Sequence, residues 1–227
     1  MSDVEVYIIV EGRTEQTFIR EVLAPVFGYK GLFLYPVLIG NPGHKGGDIR
    51  FSRAENDISN FLKQRSDIYV SSMFDYFRID PDWPGRANVR DNDTAVKKAE
   101  KIEDKTLTEI IKSFPNQNAE ERFIPYIEMH EFEALSFSDA SVLANLIGVD
   151  PGKIDSVLNE CGEPEEINDN PETSPSKRLQ SLSDKKYRKV AMGKAIAEAI
   201  GIQTMRKKCP HFDEWLKRLE RLTGKQI

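Results

Sequence analysis

The sequence predicts an α/β protein: a doubly wound, mainly parallel four-stranded sheet with helices on both faces, followed by a C-terminal helical extension. Strand-like runs alternate with segments of helical period as far as about Ser138, and beyond it only helical patterns continue. Strand–helix–strand alternation implies parallel strands joined by right-handed crossovers. We therefore expect an α/β core at 1–138. The extension at 139–227 is expected to pack on this core and to become basic toward its C-terminus.

The predicted strands are short runs of β-branched and aromatic residues. They are VEVYIIV at 4–10, LFLYPVLI at 32–39, IYVSSMF at 68–74 and RFIPYIEM at 122–129. The first is typical of a central strand. Pro36 places the second strand at an edge or at a bulge, because proline cannot donate a hydrogen bond to the ladder.

Helix-start signals separate these strands. Thr14 is predicted to cap the helix after the first strand, and Ser52 with Glu55 matches a capping box before the next. A long amphipathic helix is expected from about Thr94 to Phe114. Five shorter helices are expected in the extension, at 139–147, 151–160, 176–182, 185–200 and 210–223.

Composition excludes several classes of protein. The chain has 227 residues, 39% hydrophobic and 30% charged, with a mean hydropathy of −0.49, as in ordinary soluble domains. It contains no apolar run near the ~18 residues of a membrane span and no secretory signal pattern. Cys161 and Cys209 are too far apart to indicate a disulfide framework or a zinc site. We expect a cytoplasmic protein with no membrane partner.

The net charge of −5 conceals an asymmetry. From Ser176 to the end there are 14 Lys and Arg against 5 Asp and Glu, a balance of +9, which leaves −14 for residues 1–175. An acidic body with a basic tail suits a site that holds cations and also contacts a polyanion. Alternatively, the long basic side chains only solvate helical faces.

Acidic residues follow three of the predicted strands. In an open parallel sheet, ligands bind beyond the carboxyl ends of the strands. The residues expected there are Glu11 and Glu15 after the first strand, Asp75, Asp80 and Asp82 after the third, and His130, Glu131 and Glu133 after the fourth. Clustered carboxylates raise each other's pKa unless a cation neutralises them, and hard divalent cations prefer oxygen ligands. The pattern therefore predicts a site for Mg²⁺ or Mn²⁺.

Each of these side chains also has a structural interpretation. Glu15 can complement a helix dipole, and Asp75 can be a turn or cap residue. Glu131 can pair with Arg122 or Arg178. His130 can be a structural histidine whose hydrogen bonds are satisfied. Asp80 and Asp82 stand beside prolines and can be turn residues. Acids that follow three different strands, taken together, favour the functional interpretation more strongly than any one of these residues does.

Two segments offer phosphate contacts. The glycine-rich loop GNPGHKGGD lacks the GKS or GKT of a Walker A motif, but His44 and Lys45 can reach a phosphate from it. Ser176 stands at a predicted helix start, with Lys177 and Arg178 in the first turn. Cations there oppose the helix dipole, so the helix start is either an anion site or simply exposed surface.

The glutamate that closes the first strand in VEG, together with the acids that close the third, resembles a Toprim domain, the metal-binding module of topoisomerases, DnaG-type primases and OLD-family nucleases. The segments VEGRTEQTFI, FDYFRIDPDWPG, YIEMHEFEALSFSD and PETSPSKRL more closely resemble a bacterial Toprim-like family without an assigned activity. That family is associated with defence or mobile-element systems. The resemblance covers nearly the whole chain.

The resemblance implies that Glu11 takes the position of the Toprim glutamate and Asp75 that of the first aspartate of Asp-x-Asp. Phe77 replaces the second aspartate and cannot bind a metal. Either catalysis has been lost or the missing oxygen comes from one of three acids: Asp80, Glu131 or Glu133.

These observations together predict a Mg²⁺- or Mn²⁺-dependent phosphodiesterase, a nuclease acting on DNA or RNA. Glu11 and Asp75 would hold the metal, which activates a water, and Glu15 would be the general base. The expected phosphate contacts are Arg13, His44, Lys45, His130, Lys177 and Arg178. The alternative, which Phe77 favours, is a non-catalytic Toprim-like binding or regulatory subunit that works with a separately encoded ATPase.

Overall fold

Parallel pairing joins five strands into one sheet in the computed structural model, which describes residues 3–40, 49–168, 170, 172–183 and 188–224. The strands are β1 (Val4–Val10), β2 (Leu32–Leu38), β3 (Tyr69–Asp75), β4 (Phe123–Ile124) and β5 (Ile127–Glu128). Their order is β2-β1-β3-β4, and β5 also pairs with β3. The mainly parallel α/β sheet predicted from the sequence is confirmed.

The fourth predicted strand, 122–129, is divided into β4 and β5. Pro125 interrupts it because proline has no N–H to donate. Next to it, the Tyr126 N–H donates to the hydroxyl of Ser72 (3.0 Å), and that hydroxyl donates to the Tyr126 carbonyl (3.2 Å). The Ser72 side chain thus replaces the backbone hydrogen bonds at this point of the ladder, and the strand continues in the same direction.

The opposite edge of the sheet is formed by β2. Among the described strands it pairs with β1 alone, which confirms the edge position that Pro36 predicted.

Most of the chain outside the sheet is helical. The helices are α1 (Arg13–Phe18), α2 (Ala24–Gly28), α3 (Phe51–Gln64), α4 (Ala95–Ser113), α5 (Ala119–Arg122), α6 (Ala140–Ile147), α7 (Pro151–Cys161), α8 (Pro175–Leu182), α9 (Lys189–Ile200), α10 (Ile202–Lys208) and α11 (Pro210–Arg221). A π-helical turn, Ile19–Leu23, joins α1 to α2, and three 3-10 segments lie at Arg86–Asn88, Phe132–Ser138 and Pro164–Glu166.

Two of the predicted helix starts were wrong. The N-cap of α1 is Gly12, not Thr14, because the Glu15 carboxylate reaches back to accept the Gly12 N–H at 2.9 Å. The N-cap of α3 is Arg50, so this helix begins ahead of the capping box predicted at Ser52.

Helices cover both faces of the sheet, as predicted. Val6, Ile8 and Val10 of β1 belong to one hydrophobic core, and the alternate residue Ile9 belongs to the other. The first core contains residues of α1, α2 and the C-terminal helices, whereas the second contains residues of α3 and α4. The C-terminal helical part therefore packs against the same face of the sheet as α1.

The C-terminal helices confirm most of the predicted bounds. Asp139 caps α6, accepting a backbone N–H at 3.0 Å. Residues 185–187 of the predicted helix at 185–200 lie outside the described part of the chain. One helix, α10, was not predicted separately; Gly201 divides it from α9. None of the described helices is long and apolar enough to cross a membrane.

Candidate functional site

The carboxyl ends of β1, β3 and β5 lie at the same edge of the sheet, because the three strands are parallel. Five acidic side chains follow these ends, and each acts electrostatically on others of the group: Glu11, Glu15, Asp75, Glu131 and Glu133. We call this group the acid cluster.

Glu11 is a partly buried carboxylate whose ion-pair partner among the described residues is Arg78. Its Oε2 atom is buried and accepts no hydrogen bond from the residues that the structure describes. Its Oε1 atom lies 3.6 Å from Nε of Arg78, whose side chain is 46% exposed. Burial, and secondly the neighbouring Glu15, raise the pKa of Glu11 to about 7, although Arg78 opposes the shift. Glu11 is therefore placed to accept a positive charge that the described residues supply only weakly.

Glu15 has a structural role as well as a place in the cluster. Its carboxylate accepts the Gly12 N–H, and the side chain is buried. Burial raises its pKa, with a further contribution from Glu133. The helix-start interpretation of Glu15 thus has direct support, and a base role would have to coexist with it.

Asp75, the last residue of β3, is buried beside the other four acids of the cluster. Its Oδ1 atom accepts the Phe132 N–H at 3.0 Å, which fixes the start of the 3-10 segment. Burial raises the pKa of Asp75 well above its ordinary value, and the other four acids of the cluster, Glu15, Glu11, Glu133 and Glu131, raise it further. The carboxylate is held in place, but it forms no ion pair with a described residue.

Glu131 is satisfied by Ser176. It accepts the Ser176 N–H at 2.8 Å and the Ser176 hydroxyl at 3.1 Å. The expectation that Glu131 pairs with Arg122 or Arg178 was wrong. Arg122 donates to four backbone carbonyls, those of Leu62, Arg65, Ile68 and Gln117.

The start of α8, predicted as an anion site, thus already holds the carboxylate of Glu131. In the same helix, Arg178 forms a two-pronged ion pair with Glu160 (3.1 and 3.3 Å) and donates to the Thr173 carbonyl. A phosphate contact by Arg178 would require this pair to open. Lys177 is exposed and makes no ion pair with a described residue.

Lys189 is a site residue that the sequence analysis did not identify. Its ammonium lies 3.2 Å from Glu133, whose side chain is only 3% exposed. Burial raises the pKa of Glu133, and Lys189 opposes this shift. Burial acts to lower the pKa of Lys189, but Glu133 and Glu131 outweigh it and the pKa is raised. One signal could have identified this residue: a lysine at the first position of a helix opposes the helix dipole.

Two other predicted residues lie apart from these contacts. Asp80 has a buried Oδ1 atom that forms no hydrogen bond within the described ranges, and it is not among the charges that act most strongly on Asp75. His130 follows a cis peptide bond, and its Nδ1 atom lies 2.7 Å from the Ile167 carbonyl oxygen. This contact supports the structural interpretation of His130.

Three predicted phosphate contacts remain: Arg13, His44 and Lys45. Arg13 is exposed at the first position of α1 and makes no ion pair within the described part of the chain. His44 and Lys45 lie outside the described residues.

The acid cluster fits a divalent cation in chemistry but is not assembled around one. Its donors are all carboxylate oxygens, which suit Mg²⁺ and Mn²⁺, and Glu11 Oε2 is an unused donor. Among the described residues, no three Asp, Glu, His or Cys side chains already form a group that could hold a metal. The carboxylates would therefore have to move together to bind the ion.

A second buried polar group connects α11 to the sheet. Glu103 of α4 accepts the Ile127 N–H and pairs with His211 Nε2, both at 2.9 Å. Glu165 accepts the first two N–H groups of α11, those of His211 and Phe212. Sequence patterns carried no signal for this group, because its members come from distant segments.

A family model described as "Domain of unknown function (DUF4276)" matches residues 10–220. No curated protein and no solved structure matches the chain significantly.

Proposed function

Since the chain belongs to the DUF4276 family, a domain of unknown function, we propose its function from the chemistry of the site: a Mg²⁺- or Mn²⁺-dependent phosphodiesterase that acts on nucleic acid. The observation that carries the proposal is the state of Glu11, a strand-end carboxylate with one buried oxygen unpaired and a pKa raised to about 7. A fold that needed Glu11 for stability would supply a buried partner. A divalent ion supplies the missing charge.

Glu11 and Asp75 would hold the ion, with Glu133 as the third donor. Glu133 suits this role better than Glu131, because both oxygens of Glu131 already accept hydrogen bonds from Ser176. The bound ion would polarise a phosphate and lower the pKa of a coordinated water. Glu15 would accept the proton of this water, since burial raises its pKa above that of an exposed glutamate and makes it a stronger base.

Exposed cations near the cluster support a polyanionic substrate. Arg13 begins α1, Arg78 follows β3 and Lys177 lies in the first turn of α8. Basic side chains around an acidic metal site would bind phosphates on either side of the scissile bond. The resemblance to Toprim domains adds support, and it connects the proposed nuclease with bacterial defence or mobile-element systems.

The test is cleavage of end-labelled single-stranded and duplex DNA and RNA in Mn²⁺, with Glu11→Gln as the inactive variant. Glu109→Gln on α4, outside the acid cluster, is the matched control and should cleave like the parent protein. No cleavage of any substrate by the parent, at Mn²⁺ concentrations where calorimetry shows the ion bound, would reject the enzymatic assignment.

A second function is favoured by two observations: a non-catalytic binding or regulatory subunit, with a separately encoded ATPase as its partner. Phe77 stands where the resemblance expects a ligand, and the backbone N–H groups of Phe132 and Ser176 already occupy Asp75 and Glu131. Calorimetry with Mn²⁺ separates the two. A non-catalytic subunit without a metal should show no binding that depends on Glu11.

A further inference from the structure

The ammonium of Lys189 already occupies part of the space that the proposed function gives to a metal. It lies 3.2 Å from Oε1 of Glu133, and its positive charge acts on all five carboxylates of the acid cluster. The other nearby cation, Arg78, lies 3.6 Å from Glu11 and is about half exposed. Lys189 is therefore the cation most central to this site among the described residues.

The packing of α9 fixes where Lys189 enters the site. Gly193, one turn further along the same helix, lies so close to Phe132 and Thr14 that an added Cβ would meet their side chains at 3.3 and 3.4 Å. The helix is thus held tightly against α1 and the 3-10 segment that starts beside Asp75. Residues four apart share a helix face, so this contact directs Lys189 toward the acids.

The charge of Lys189 does not stabilise the helix to which the residue belongs. A lysine at the first helical position opposes the dipole, which favours acidic side chains there. Its side chain is 42% exposed, so the ammonium has a route to solvent along a flexible four-carbon stem. The attraction of the carboxylates explains the position of the Lys189 ammonium, and its exposure allows the ammonium to move away from them.

We propose that Lys189 is the built-in counter-ion of the acid cluster in the metal-free protein, and that a divalent cation must displace it from Glu133 to bind. An ammonium and a divalent ion repel each other and compete for the same carboxylate oxygens, so both cannot occupy the cluster. Lys189 then sets the affinity for the metal, because the attraction between the metal ion and the carboxylates must exceed the attraction between Lys189 and Glu133. This inference rests on the proposed metal-dependent function.

The first measurement is calorimetric titration with Mn²⁺. Lys189→Met keeps the apolar stem and removes the charge, so we expect roughly tenfold tighter binding, within the usual range for coupled sites. Lys189→Arg keeps the charge and should bind Mn²⁺ like the parent. Lys194→Met is the matched control, because Lys194 belongs to the same helix but pairs with Glu21 and Glu198.

The second measurement separates displacement from simple charge repulsion and uses the unaltered protein. Acetylation of lysines, mapped by mass spectrometry, should increase several-fold at Lys189 when Mg²⁺ is bound, because the ammonium has left Glu133. Lys177 and Lys194 are internal references and should react equally with and without the ion. Unchanged or reduced reactivity of Lys189 in the metal-bound protein would overturn displacement, even if Lys189→Met binds more tightly.

The outcomes also separate this inference from the proposed function. If the parent binds Mn²⁺ through Glu11 but Lys189→Met binds no more tightly, the counter-ion role is rejected and the metal site remains. If the parent shows no binding that depends on Glu11, the metal-dependent function fails and the inference fails with it.

Discussion

Glu11 and Glu131 are both glutamates that follow a strand at the same edge of the sheet, yet their surroundings differ. Glu131 accepts two hydrogen bonds from Ser176. Glu11 has one buried oxygen that accepts none from the described residues, and its other oxygen lies 3.6 Å from the half-exposed Arg78. Hydrogen bonds to a buried carboxylate stabilise its charged form, and burial without them does the opposite. The two side chains should therefore respond to substitution in opposite ways.

Glu11→Gln should leave the metal-free protein as stable as the parent or more stable. The change removes a charge that is buried and repelled by Glu15, while the side-chain volume is kept. Stabilisation by Mn²⁺ should disappear at the same time. Urea denaturation with and without the ion measures both effects. A loss of ~3–5 kcal/mol in the metal-free protein is the result expected for a buried ion pair, and it would reverse our interpretation of Glu11.

Glu131→Ala is the contrasting substitution. It leaves the buried N–H and hydroxyl of Ser176 without their acceptor, which should cost ~1–3 kcal/mol of unfolding free energy whether or not metal is present. Urea denaturation of this variant in chelator is the measurement. A loss confined to the metal-bound protein would instead identify Glu131 as a ligand.

At the scale of elements, several helices receive their N-terminal anion from a remote part of the chain. Glu131 accepts a backbone N–H at the start of α8, Glu165 does so at the start of α11, and Glu166 accepts the Ala95 N–H at the start of α4. An acidic side chain in these positions satisfies orphan N–H groups and complements the dipole. Acids that look catalytic in the sequence can therefore be capping residues, and the two interpretations separate only when the partner is known.

Because Glu131 fills the start of α8, a phosphate contact at this helix rests on Lys177. Lys177→Glu should weaken nucleic-acid binding and reduce the slope of log K against log salt by ~0.9 for each duplex-DNA phosphate that is no longer neutralised. Fluorescence anisotropy over a salt series measures this. Lys153→Glu, an exposed position on α7, is the control for net charge. Equal slopes for the two variants would show that Lys177 does not touch phosphate.

At the scale of the whole molecule, buried acids make the metal-free protein sensitive to pH. The folded-state pKa of Glu11 is about 7 against an ordinary 4.5, and burial also raises the pKa of Asp75, Glu15 and Glu133. A carboxyl with a raised pKa binds its proton more tightly in the folded state. Its contribution to stability is complete below the unfolded-state pKa and is lost as the pH rises through the folded-state pKa.

Metal-free protein should therefore be more stable at pH 5.5 than at pH 8. Glu11 alone would contribute about 2 kcal/mol to the difference, because pH 5.5 already lies above its unfolded-state pKa. Urea denaturation at the two pH values, after removal of metals, measures it, and Glu11→Gln should flatten the dependence. Greater stability at pH 8 in the metal-free parent would contradict the raised pKa values.

Millimolar Mn²⁺ should raise the melting temperature at pH 8, because an ion that binds only the folded state stabilises it by mass action. The increase should be smaller at pH 5.5, where protons compete for the same carboxylates. Calorimetric melting with Mn²⁺, and with Na⁺ at equal ionic strength as the control, measures the effect. An unchanged melting temperature at pH 8 would reject the metal site.

Local sequence signals were sufficient to predict the sheet and the edge at which a site would form. Runs of β-branched and aromatic residues indicated the strands and Pro36 indicated the edge position, because these signals depend only on local backbone geometry. Strand–helix alternation implied parallel strands, which bring the residues after β1, β3 and β5 to the same side.

Tertiary packing determines which of the acids are satisfied. Glu131 meets Ser176, 45 residues away, and Lys189 reaches Glu133 from a helix whose position depends on the packing of Gly193. Local patterns cannot encode such contacts, because they arise from the docking of the C-terminal helices on the sheet. The same docking buries the acid cluster, and burial is the largest cause of the raised pKa values of Glu11 and Asp75. The sequence alone puts the carboxylates after the strand ends, whereas the tertiary packing around them determines their pKa values.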